Sequence, residues 1–157
     1  MKKFLVVFLL SCASVFAQSK ANDIPVDKLP DQVRQVLDKY IQVLSSADLD
    51  TCAKEFVAIA GGSLVNEDGS LRSTIKDFGL KKDFNNLKHY AKPIKITRVN
   101  VTEKTDGYGA TAIKGKVYKI WIAKDDPAKG LPAPVSILDP ENHPSIKSPK
   151  VINVGSY

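Results

Sequence analysis

Pro93 divides this chain into two kinds of pattern. Before it, apolar residues recur at the three- and four-residue steps of helices; after it, from Ile94 onward, every apolar run reads as strand. A chain that separates helices from strands in this way predicts an α+β fold, with a helical hairpin and a third helix packed in a curved antiparallel sheet.

The first helix is marked by Pro30, placed where a first turn tolerates it, and by the stripe Val33, Val36, Leu37, Tyr40, Ile41 and Leu44. Ser45-Ser46-Ala47 breaks it, Asp48 is a good N-cap, and Leu49, Cys52, Ala53, Phe56 and Val57 form the stripe of a second helix folded back on the first. Gly61-Gly62 ends that unit, and Asn66-Glu67-Asp68-Gly69 has the chemistry of a tight turn between two short strands. A third helix is expected over residues 80–90, where Leu80, Phe84, Leu87 and Tyr90 follow Gly79 and Pro93 supplies the stop. Beyond it, strands are expected over 94–103, 109–123, 135–138 and 151–154, a meander whose first turn is Thr105-Asp106-Gly107.

Residues 1–17 read as an export signal and lie outside the domain. Lys2 and Lys3 precede the apolar run Phe4 to Leu10, and Val15-Phe16-Ala17 supplies small residues for cleavage. The run is shorter than the ~20 residues that span a bilayer, so no transmembrane segment is expected. The expected organisation is a signal peptide at 1–17, an extended leader at 18–29 and one domain at 30–157, secreted or periplasmic after cleavage near Ala17. Leu9-Leu10-Ser11-Cys12 also resembles a lipobox, and the alternative is a lipoprotein anchored at Cys12. Cleavage after Ala17 leaves Cys52 as the one cysteine, so no internal disulfide forms and the core must hold the fold.

The net charge of +6 falls to +4 without Lys2 and Lys3, and the lysines are scattered, which gives no reason to expect nucleic acid as a partner. His89 and His143 stand at no ligand spacing from each other or from Cys52, so no metal is expected. No Gly-rich phosphate loop or nucleophile elbow occurs, and no cofactor is expected.

The element order, together with the stretch Asp38 to Asp50 (an aromatic-bearing helix, a small-residue break and Asp-Leu-Asp) followed by Phe56, resembles the nuclear transport factor 2-like superfamily, a cone-shaped α+β roll with cystatin-like architecture. The resemblance implies a cone whose open end is a pocket, lined here by residues such as Tyr40, Phe56, Phe84 and Trp121. Members include enzymes, inert binding modules and dimerising adaptors, and the fold does not choose among them. The leading reading is an exported, non-catalytic ligand-binding or interaction module that takes a small apolar or amphipathic ligand. The alternative, by similarity to ketosteroid isomerase-type members, is a cofactor-independent isomerase or dehydratase. There Tyr40 donates to an oxyanion and Glu67 or Asp68 is the base. That chemistry commonly includes a second acid kept neutral by burial, and the long strands offer Lys95, Lys114, Lys116 and Lys119 in its place.

Each candidate also has an ordinary structural role. Tyr40 falls in the apolar stripe of its helix, Glu67 and Asp68 are good turn formers, Asp48 and Asp50 suit a helix start, and Cys52 suits a buried thiol. The strand around Trp121 carries large side chains on both faces. One face must cover the helices, and the other is free for a homodimer or for covering loops.

Overall fold

The structure is a computed structural model that describes residues 22–126, 128 and 130–155; the signal, Cys12 and the first residues of the leader lie outside it. Helix α1 (Asp31–Leu44) buries Val33, Leu37, Tyr40, Val43 and Leu44 on one stripe. Helix α2 (Leu49–Phe56) starts where expected, because the Asp48 carboxylate accepts from the Thr51 backbone N–H at 2.8 Å. Its end runs beside the last strand, with Gly61 N donating to Val151 O and Val151 N to Ile59 O.

Five antiparallel strands stand in the order β1-β2-β3-β4-β5: β1 (Asn22–Ile24), β2 (Ile96–Asp106), β3 (Ile113–Ile122), β4 (Ala133–Pro140) and β5 (Lys150–Asn153). The fold is α+β, with the helices on one face of this open sheet. Tyr118, Ile120 and Ile122 of β3, Val99 of β2 and Val135 and Ile137 of β4 meet Leu37, Tyr40, Val43 and Phe56 in the main core. Since alternate residues of a strand point to opposite faces, Val117, Lys119 and Trp121 lie on the other side. One end of that side carries a second, smaller core of Ile113, Val117, Leu138 and Ile152, backed by Ile146.

Four expectations change. Part of the leader is strand: β1 pairs with Val99–Val101, and its polar sequence is held by partners rather than by intrinsic propensity. The expected hairpin around Asn66–Gly69 reduces to a single bridge between Val65 and Leu71. The β2–β3 turn lies later than expected, because Asp106 stays in β2 and accepts from the backbone N–H and hydroxyl of Ser63, while Gly109–Thr111 coils into a 3-10 turn. The third helix is composite: a π-helix at Ile75–Leu80, an α-helix α3 at Lys81–Asn86 and a 3-10 turn at Leu87–His89.

The wide turn carries a close packing contact. The chain after β5 crosses it so closely that a Cβ on Gly79 would stand 2.9 Å from Val154 Cγ2. One on Gly155, itself at φ +76°, would stand 2.6 Å from Gly79 Cα. Two glycines let this tail lie flat on the helix and deliver the Gly155 backbone N–H to the interior.

Candidate functional site

The interior around Tyr40 is full. Tyr40 and Phe56 are completely buried, their ring centroids 5.9 Å apart and their planes tilted by 56°, within the spacing at which aromatic pairs interact. Phe84 is half-buried and packs against the same core. Trp121 does not join them: its neighbours Ile120 and Ile122 enter the core, so it projects from the opposite face. The four side chains expected to line one pocket therefore lie on both sides of the sheet. Surface depressions of about 610, 590 and 630 Å³ are lined by none of Tyr40, Phe56 and Phe84.

What meets Tyr40 is Asp83, a residue the sequence reading passed over. Asp83 is 1% exposed on α3, and its Oδ2 accepts both the Tyr40 hydroxyl at 2.5 Å and the Gly155 backbone N–H at 2.7 Å. Its Oδ1 is buried and accepts no hydrogen bond from the described residues. Burial pushes the carboxyl up to about 6, against the lowering pull of the two hydrogen bonds and of nearby Lys82. Lys81-Lys82-Asp83-Phe84 looks like a solvated helix face. The available signal was position, since Asp83 stands three residues after buried Leu80 and four before half-buried Leu87. The Cys52 thiol is buried too and pushed up to about 11, chiefly by burial and then by Glu55, Asp48 and Asp83, so it is an inert thiol at neutral pH.

Glu67 and Asp68 are exposed in their turn, away from this acid. Asp68 Oδ1 accepts the backbone N–H and hydroxyl of Ser70, which hold its carboxyl below the usual range. The structure thus brings Tyr40 to a buried acid but leaves both expected bases serving as turn formers. His143 is likewise a loop former, its Nδ1 accepting from the Ile146 backbone N–H at 2.9 Å. Among the described residues no group of three His, Cys, Asp or Glu side chains could hold a metal, and no helix is long and apolar enough to cross a membrane.

The outer face carries a different constellation. Arg98 of β2 stands directly across from Trp121, and Pro134 of β4 is its partner on the other side. The Arg98 guanidinium carbon lies 4.7 Å from the indole centroid and Lys119 Nζ lies 5.2 Å from it, both within cation–π range. Arg98 Nε donates to both carboxylate oxygens of Asp23 at 3.0 and 3.1 Å, a half-exposed pair that also tethers β1. Asn100 and Arg98 together hold the Asp23 carboxyl below its ordinary range. Over this row lies a groove of about 610 Å³ lined by Arg98, Trp121, Lys124, Leu131, Pro132 and Pro134, among others, and Leu131 is 86% exposed at its rim. The volume falls in the range of small-ligand sites.

Searches against protein-family models, curated proteins and solved structures return no match for this chain.

Proposed function

We propose that the chain is an exported, non-catalytic binding module of the nuclear transport factor 2-like kind, whose binding surface is the outer groove over Trp121 instead of the interior of the cone. The observation that carries this reading is the contrast at two aromatics: Tyr40 and Phe56 are packed shut, whereas Trp121 and Leu131 face an open groove. Helical hairpin, third helix and antiparallel meander in that order support the kinship.

The isomerase alternative gains in Asp83 the buried acid it lacked, yet Tyr40 is closed off by its packing and neither expected base is buried with it among the described residues. Glu67 and Asp68 are exposed, and Tyr40 spends its hydroxyl on Asp83.

The test is a neutral apolar dye, N-phenyl-1-naphthylamine, added to the native protein. One saturable site is expected, lost in Trp121→Ala with the melting temperature little changed. Dye binding that survives Trp121→Ala and disappears in Phe84→Ala returns the site to the interior and overturns the proposal.

A further inference from the structure

The groove has two chemically distinct parts. Its floor and rim are apolar and stiff: the Trp121 ring, two prolines with fixed backbone and no N–H to satisfy, and the exposed Leu131. The other part is cationic, with Arg98 and Lys124 in the lining and Lys119 Nζ 5.2 Å from the indole centroid. A wholly apolar guest would make no use of the guanidinium's charge, and a bare inorganic anion would leave the apolar floor uncovered. A guest that satisfies both has an apolar body and an anionic head.

Resting on the reading of the groove as the binding surface, we infer that it takes a small anionic amphiphile, a monomeric carboxylate on an apolar body. The body lies over Trp121, Pro132 and Pro134, and the carboxylate is held by Arg98. Guanidinium suits this task because its planar fork offers several donors at once and stays charged at every relevant pH. Arg98 already shows the affinity, since its Nε holds a carboxylate, that of Asp23. In the bound state the ligand's carboxylate joins or displaces that of Asp23, so Asp23 is both the group that orients Arg98 and the competitor the ligand must overcome. This gives two substitutions with opposite expected signs, which a merely structural ion pair does not.

Trp121 is the one tryptophan of the chain, so its emission reports on the groove alone. The experiment titrates residues 18–157 with decanoate below its micelle concentration, with decanol as the neutral match, and with phosphatidylglycerol vesicles. Expected are a saturable emission change with decanoate, binding roughly tenfold weaker for decanol, and a similar loss in Arg98→Gln, as fits the greater strength of charge-assisted hydrogen bonds. Asp23→Asn should tighten decanoate binding about threefold by removing the competing charge. Melting temperature and far-ultraviolet circular dichroism of each variant check that β1 remains folded.

Equal binding of decanoate and decanol overturns anion recognition, as does an Asp23→Asn variant that loses binding together with Arg98→Gln. A response to vesicles alone overturns the monomeric ligand in favour of a membrane face. If neither amphiphile binds while the neutral dye still does, the ligand class is wrong but the groove stands; if the dye fails as well, the groove reading falls with it.

Discussion

Tyr40 and Trp121 are both large aromatics on central elements, and each sits beside a charged side chain. Tyr40 donates to Asp83 in the buried interior, and Asp83 in turn holds the tail through Gly155. Trp121 lies under Arg98 in half-open surroundings, and Arg98 shares itself with Asp23 in solvent. A polar contact in the dry interior is costly to leave unmade, so it serves the fold. The same kind of contact at the surface is worth little to stability and can be exchanged for a ligand. The Tyr–acid pair therefore serves the architecture, and the Trp–Arg pair is the one we propose for recognition.

The largest effect that would test this contrast is in the core. Phe56→Ala should cost about 3–5 kcal/mol in urea denaturation; a loss below about 1 kcal/mol would mean that the ring lines a cavity after all. Tyr40→Phe comes next, at about 1–3 kcal/mol, because Asp83 Oδ2 then keeps only the Gly155 N–H. A Tyr40→Phe protein as stable as the parent would remove the structural role and reopen the chemical one.

The pH dependence isolates Asp83. Its carboxyl binds a proton more tightly folded than unfolded, since its value rises from 3.8 to about 6. Its contribution is therefore full below about pH 4 and is lost as pH rises through about 6, a change of roughly 3 kcal/mol at most. Asp83→Asn should flatten this fall, so the difference between parent and variant across pH 4 to 7 is the measurement. A difference that does not change over that window would show that the carboxyl titrates normally. The exposed Asp23, Asp48 and Asp68, all held below the ordinary range, work in the opposite direction on the acid side and cancel in the subtraction. The smallest effect is expected outside: Arg98→Gln should lower stability by less than about 1 kcal/mol. A larger loss would make the outer pair part of the architecture.

The fold was legible where a local signal coincided with the tertiary one. The stripe Val33-Leu37-Tyr40-Leu44 became the buried face of α1, and Asp48 capped α2 as its residue type suggests. The meander followed from runs of β-branched and aromatic residues. What sequence hid was decided by distant chain. Asn22-Asp23-Ile24 is a strand along an edge that β2 offers, and the third helix is wide where Val154 and Gly155 lie against Gly79. The candidate site was half legible. Tyr40, Phe56 and Phe84 were expected to line an open pocket and pack into or against the core instead, Trp121 lies on the other face because strand alternation sends neighbours apart, and Asp83 was masked by the lysines before it. Glu67 and Asp68 carried turn chemistry in the sequence and carry it in the structure.

The centre of the interior also has an order of arrival. Asp83 is bound by one group 43 residues before it and another 72 residues after it, so its two donors are synthesised at different times. A nascent chain can wind α1 and α3 early, but the carboxylate keeps only Tyr40 until the segment beyond β5 has been made and has crossed Gly79. Closure of the interior thus depends on the last residues of the described chain, and a chain halted anywhere before Gly155 lacks the second donor to Asp83.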